Sequence, residues 1–140
     1  MTGPRHILTA AAAACLMVML PARAAEQVCR VVSVHDGDTL TTREHGRVRF
    51  AITAAPEIGD RARCPREEAM ARQARDYVRT RTADGVMLRP EPGERDVDRY
   101  GRLLRHVYAA DGGDIEAELI ARGLAVRFVH GARPHDWCRP

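Results

Sequence analysis

The 140-residue chain contains no lysine; all 22 of its basic side chains are arginines. Its 19 carboxylates all follow residue 25, whereas Arg5 and Arg23 precede it. The portion after residue 25 therefore sets 20 arginines against 19 acids, a net charge of +1. That balance excludes a diffuse polycation that holds nucleic acid by bulk charge. Any phosphate binding has to come from where particular arginines stand. No apolar run reaches the roughly 20 residues that cross a bilayer as a helix. Internal repeats and low-complexity tracts are absent, which excludes solenoid arrays and compositionally biased linkers. There is no Ser-His-Asp arrangement, no phosphate-cradling glycine loop and no repeated Cys pair. A triad hydrolase, a P-loop NTPase and a Cys-based zinc site are thus without support.

What is present begins with a leader. Arg5 and His6 open it, residues 7–20 are apolar, and Pro21 precedes Ala22-Arg23-Ala24. A charged start, a short apolar stretch and a small-x-small site mark a secretory signal peptide, 1–25, with cleavage expected after Ala24 or Ala25. An uncleaved anchor is the alternative. Cys15 lies inside the apolar stretch, which continues past it. Residues 26–140 suffice for one domain with one modest core. Export means oxidising conditions, so the three remaining cysteines predict one disulfide and one thiol. Cys64 stands at a loop-to-helix junction and Cys138 in a tail with little else to hold it, which favours that pair. Cys29 falls in a strand pattern, where a cysteine behaves as a small buried hydrophobe.

Residues 28–35 read as a valine-rich strand and Asp36-Gly37 as a turn, with 39–43 a second β-branched strand. Glu44-His45-Gly46 closes a hairpin into a third strand, 47–53, which Pro56 ends. Three consecutive antiparallel strands are the simplest arrangement. Cys64-Pro65 opens a helix whose first turn carries Glu67 and Glu68, favourable to the helix dipole. Met70, Ala74, Tyr77 and Val78 give it an apolar face, and Asp84-Gly85 terminates it. A short strand at 86–88, a polar loop at 90–95 and a strand at 103–109 follow. Asp111-Gly112-Gly113 turns into a second helix, 115–122, capped by Asp114 and stopped by Gly123. An extended segment, 126–130, precedes an irregular tail, 131–140. Periodicity alone does not choose a barrel over an open sheet.

Four short motifs occur in order: Asp36-Gly37-Asp38-Thr39, Val48-Arg49-Phe50, Ala55-Pro56-Glu57 and Asp98-Arg99-Tyr100-Gly101-Arg102. Each residue type has a use in cutting a phosphodiester. An arginine grips a phosphoryl group with two prongs and offsets charge as it develops. A carboxylate takes a proton from attacking water, and an aspartate holds a hard divalent cation. Singly the motifs are weak. Asp-Gly-Asp is common in plain hairpins, Arg49 shares a strand face with Arg47 and Ala51 opposite Val48, Phe50 and Ile52, and a loop glutamate is ordinarily solvated. Together, in order and spacing, they resemble the thermonuclease (staphylococcal-nuclease-like) family over residues 28–128.

The resemblance implies an α+β, mainly β fold: a five-stranded OB-fold barrel with two helices, a fold that binds nucleic acids in many settings. It implies that Arg49 and Arg102 grip phosphate and that Glu57 is the general base or positions the attacking water. Asp38 and the Ala55 backbone carbonyl would hold a calcium ion. Arg99 and Tyr100 would contact a neighbouring phosphate, and Phe128 and His130 stand where the family carries aromatics that stack on a base. Asp36 is read as stabilising its turn and Asp98 as bonding within its loop. One departure matters: Ala54 replaces an aspartate that ligates the metal in the family. Losing one charged ligand lowers calcium affinity; Asp60 is the candidate substitute. His130, His135 and Cys138 are too scattered to argue for a separate metal site.

The implied protein is an exported, periplasmic or secreted, monomeric and metal-dependent endonuclease acting on DNA and RNA with little sequence specificity. After signal cleavage it has no membrane association. The alternative is a non-catalytic OB module binding nucleotides or single strands, motivated by Ala54. A structural or protein-binding secreted domain is a third class, supported only by the near-neutral charge.

Overall fold

Polar and apolar side chains alternate through the first hairpins, and the strands follow that alternation. The computed structural model describes residues 27–139; the signal peptide, its cleavage site and Cys15 lie outside them. Strands β1 (Val31–Val34), β2 (Thr39–Thr42) and β3 (Gly46–Phe50) form the expected antiparallel meander. In β3 the buried Val48 and Phe50 alternate with the outward Arg47 and Arg49. β3 then pairs in parallel with β6 (Leu103–Ala109), and β6 pairs antiparallel with β5 (Val86–Arg89). The order is β1-β2-β3-β6-β5.

The two edges of this sheet meet again ahead of β1. Cys29 and Val86 exchange backbone hydrogen bonds of 2.7 and 2.9 Å, joining β1's leading segment to β5. Gly85 makes that approach feasible. Its φ is +95°, and a Cβ there would lie 2.6 Å from a Val28 methyl carbon and 2.8 Å from the Cys29 carbonyl oxygen. The chain thus has the α+β, OB-type architecture that the motifs implied: a curled five-stranded sheet with two helices.

The third strand is shorter than expected. Alternation fails after Phe50, where the chain bends, and Thr53–Ala54 forms β4, which leaves the main sheet to pair antiparallel with β7 (Val126–Arg127). The bend is held from a distance: the buried Glu116 carboxylate accepts the Ile52 amide at 2.8 Å and the Thr53 hydroxyl at 3.2 Å. The last strand is likewise short; the Phe128 amide still donates to the Ile52 carbonyl at 2.7 Å, but Phe128 and His130 lie beyond the strand's end.

Helix α1 (Pro65–Arg81) starts at Cys64, whose sulfur accepts the Glu67 amide, with Pro65 in the first turn. Its inward residues are Ala71, Ala74 and Val78, with Met70 and Tyr77 only partly covered. Small alanines let the helix sit close to the barrel. Asp114 caps α2 (Ile115–Ala121) through the Ala117 amide, and Ile115 and Leu119 enter the core beside Leu40, Phe50, Val86 and Val107.

Cys64 and Cys138 form the expected disulfide, and Cys29 is free and buried. Burial, and after it the Glu44 carboxylate, push the Cys29 thiol pKa up, which keeps it unreactive. The disulfide closes a separation of 74 residues and seats Trp137, 7% exposed, under the tail. A loop of that length predicts a loss of about 2–4 kcal/mol on removing the link. Urea unfolding of Cys138→Ser against the oxidised wild type checks this; equal midpoints would show that the tail contributes nothing to the fold.

Candidate active site on the barrel face

The site is built around a glycine that admits no side chain. A Cβ on Gly37 would lie 2.7 Å from the Cβ atoms of both Ala55 and Ala74. The Asp36–Thr39 turn is therefore pressed between α1 and the loop after β4. The Asp38 amide donates to Asp36 Oδ1 at 3.1 Å, so Asp36 does shape the turn. Asp38 itself is buried. Its Oδ2 accepts the Ala55 amide at 2.7 Å and lies 3.2 Å from Arg49 Nη1, while Oδ1 accepts the Thr39 hydroxyl at 3.1 Å. Ala55 thus meets Asp38 through its N–H.

Burial pushes the Asp38 pKa up to about 7. Arg49 pulls it back, the Asp36 carboxylate raises it, and the Ala55 amide lowers it again. A dry carboxylate beside a second carboxylate is an environment that a cation relieves.

Arg49 Nη1 also donates to the carbonyls of Thr53 at 2.8 Å and Phe50 at 3.1 Å. Among the described residues every hydrogen bond and ion pair of Arg49 runs through that one nitrogen, which leaves Nε and Nη2 for a two-pronged contact. Arg102 is steered by Asp98: Nε lies 2.7 Å from Asp98 Oδ2, and Asp98 Oδ1 accepts the amides of Tyr100 and Arg102. Arg102 Nη1 reaches the Thr39 hydroxyl at 3.5 Å. Thr39, which faces Arg49 across β2 and β3, therefore links the two arginines through Asp38.

The other expected residues surround this pair unevenly. Tyr100 is 67% exposed, with the Arg99 and Arg102 guanidiniums 4.8 and 5.4 Å from its ring centre. Phe128, 47% exposed, has Arg49 6.0 Å from its centroid, and His130 is edge-on to it at 6.4 Å. Half-exposed Glu57 pairs with Arg61 Nε at 3.1 Å, and Arg61 Nη2 also reaches Asp36 at 3.4 Å. Asp60 sits on the same exposed 3-10 turn (Gly59–Arg61), but its neighbour Arg61 is the residue that reaches Asp36. Cys138 is oxidised and His135 packs on Trp137 at 4.3 Å, so those two do not ligate with His130.

Asp36 and Asp38 are hard oxygen donors and suit calcium in kind. In number they are few. Ala54 adds none, and among the described residues no group of three His, Cys, Asp or Glu side chains gathers to hold a metal. The donors fit a weakly held divalent cation that keeps most of its coordination as water.

Two acids that matter here carried no special signal in the sequence. Glu67, read as a dipole partner, is buried in α1's first turn, where Oε2 accepts the Arg63 amide at 2.8 Å and Oε1 the Glu57 amide at 3.4 Å. It anchors the loop that presents Glu57. The Glu116 pKa is raised by burial, against the Ile52 amide and His106, whose Nδ1 lies 3.0 Å away. Glu67 is one of two glutamates in that first turn, and nothing local pointed to Glu116.

A curled OB-type sheet thus brings two arginines together through a buried aspartate and a threonine, a group of side chains suited in kind to a phosphate. A family model described as "Staphylococcal nuclease homologue" matches residues 47–136, and the chain belongs to that family. It is 37% identical over 139 residues to a micrococcal nuclease of Shigella flexneri, covering 90% of this chain and 72% of the relative. It is 32% identical over 101 residues to endonuclease YncB of Bacillus subtilis (strain 168), covering 68% of this chain and 46% of that relative.

Burial alone would raise the Glu67 pKa, but the Arg63 amide and guanidinium and the Glu57 amide outweigh it and hold the group below the usual 4.5. Its contribution to stability is therefore full above about pH 4.5 and is lost as pH falls through the depressed value. Glu67→Gln is expected to cost about 1–3 kcal/mol at pH 7 and to flatten the acid limb of the stability profile. Urea melts from pH 7 downward test this; an unchanged acid limb would remove Glu67 as an anchor.

Proposed function

We propose that the protein is an exported, metal-dependent endonuclease that hydrolyses phosphodiester bonds of DNA and RNA with little sequence specificity. One observation carries the reading: Asp38 and Thr39 join Arg49 and Arg102 at a single site, with an open guanidinium edge and the Glu57 loop beside it. The names of the two relatives, a micrococcal nuclease and an endonuclease, support the same class. Export rests on the leader and on the Cys64–Cys138 disulfide, which suits an oxidising compartment, periplasmic or extracellular. The protein acts as a monomer.

In this reading the scissile phosphate lies on Arg49 and Arg102, which neutralise the equatorial oxygens as charge builds. Glu57, released from the exposed Arg61, accepts a proton from water, and the water oxygen bonds to phosphorus in line. The bond from phosphorus to the 5′ oxygen breaks, and that oxygen takes a proton from solvent. The ends left are a 3′-phosphate and a 5′-hydroxyl. Asp38, Asp36 and the Ala55 carbonyl are the groups that would hold calcium, which when bound supplies further charge neutralisation at the phosphoryl group. Arg99 and Tyr100 hold the adjoining phosphate, and Phe128 and His130 offer ring faces to a base. A second reading, a strand-binding module without turnover, is favoured by one observation: Ala54 offers no carboxylate.

Digestion of plasmid and heat-denatured DNA with calcium and with chelator separates the two. Calcium-dependent cleavage supports the enzyme; oligonucleotide binding without cutting under any divalent metal supports the module. In the enzyme, Glu57→Gln is expected to lose about 10²–10⁴ in rate while still binding a nucleotide bisphosphate. Arg102→Lys is expected to lose most activity too, because an ammonium lacks the forked contact. Wild-type turnover in either variant removes that residue from the mechanism.

Ala54→Asp tests the metal separately. A carboxylate added near Asp38 is expected to tighten calcium binding and raise activity at low calcium. Unchanged calorimetry and unchanged plasmid nicking would mean that position 54 points away from the ion.

A further inference from the structure

A cleft of about 570 Å³ lies between α1, α2, β7 and the tail. That size is within the range of small-ligand pockets. The Cys64–Cys138 disulfide holds the tail over it, and Trp137 and Met70 provide apolar wall. Arg66, Arg127 and Arg139 all line it. The opposing charge is Asp136, which lies 3.0 Å from Arg139 and 4.0 Å from Arg63. Arg66 and Arg127 are exposed, and among the described residues neither forms an ion pair. Arg66 is the second residue of α1, where a cation opposes the helix dipole. Its charge is unfavourable to the helix and unanswered within the described fold, as expected of a group kept for an external anion.

The cleft's position indicates which anion. Arg127 pairs across β4 and β7 with Thr53, whose carbonyl is held by Arg49. The next residue, Phe128, has the Arg49 guanidinium over its ring. Neighbouring residues of an extended segment face opposite sides. A strand that leaves the Arg49 site past Phe128 and crosses the edge of that two-stranded sheet comes to Arg127 and the cleft on its other side. We propose that this cleft is a second nucleic-acid subsite, taking a phosphate and its nucleoside from the uncut flank of a single strand. The proposal rests on the nuclease reading above for the direction of the strand; the cleft itself does not contain the Arg49–Arg102 site.

The test compares a labelled dodecathymidylate with a thymidine dinucleotide, both bound in chelator so that nothing is cut. In Arg66→Ala/Arg127→Ala the long strand is expected to bind on the order of tenfold more weakly. The slope of log affinity against log salt is expected to fall by roughly 0.7, the one phosphate that the two arginines share on a single strand. Dinucleotide binding is expected to stay at the wild-type value. Arg79→Ala, on α1 outside the cleft and paired with Asp76, is the charge control and is expected to leave both ligands unaffected. The proposal is overturned if the double variant binds the long strand as the wild type does, if the dinucleotide weakens equally, or if Arg79→Ala has the same effect. Cleavage with calcium is scored apart. A wild type that cuts nothing, yet loses long-strand affinity in the double variant, retains the subsite and refutes the nuclease. A wild type that cuts, with a double variant equal to it in long-strand affinity, refutes the subsite alone.

Discussion

The Asp38 carboxylate is the constraint on which the site depends. It joins three successive segments of the chain: its own turn through Thr39, strand β3 through Arg49, and the loop after β4 through the Ala55 amide. Gly37 lets that turn press against α1, so the carboxylate is held dry. A dry carboxylate is costly unless hydrogen-bonded and paired. Here the groups that satisfy it also fix the arginine. Arg49 is thereby held by one nitrogen with its other edge left open, and a preorganised guanidinium loses less on gripping a phosphate than a free one.

The same device recurs at two other places. Glu67 and Glu116 are both buried, and both use carboxylate oxygens to accept backbone amides of irregular segments: the Glu57 loop for Glu67, the β3–β4 bend for Glu116. Loops without a ladder have amides to satisfy, and a carboxylate does this more strongly than a neutral acceptor. The loops around the candidate site are thus placed by acids seated on the two helices. This couples helix packing to the position of Glu57 and of Arg49's carbonyl partners.

Much of this was legible beforehand because it is local. The antiparallel meander followed from β-branched runs and turns, the helix starts from Cys64-Pro65 and Asp114, and the pairing of Cys64 with Cys138 from their places at a helix start and a loose tail. The inward Val48 and Phe50 and the outward Arg49 followed from period-two alternation. The failures begin where distant groups decide. Residues 51–54 continue the strand pattern, yet the chain bends because Glu116, 64 residues away from Ile52, takes its amide. The parallel pairing of β3 with β6 and the small sheet of β4 with β7 likewise have no local signature. Glu67 looked like any first-turn glutamate. Only the fold showed that its side chain turns back beneath the loop carrying Glu57.

An all-arginine, nearly neutral chain places its cations individually. Many are matched: Arg81 with Glu118 and Asp111, Arg63 with Glu67, Arg105 with Asp96. Around the site itself the carboxylates Asp36 and Asp38 face the guanidiniums Arg61 and Arg49, so the local charges nearly cancel. The two pairs are not equivalent. The Arg49 side chain is 15% exposed and that of Arg61 62%, and the more exposed ion pair contributes little. Arg61 can therefore leave at small cost. Its departure frees Glu57 and Asp36 together, because one guanidinium spans both. On the reading proposed above, a cation would therefore compete with that one arginine for the carboxylates, since Ala54 supplies no charge of its own.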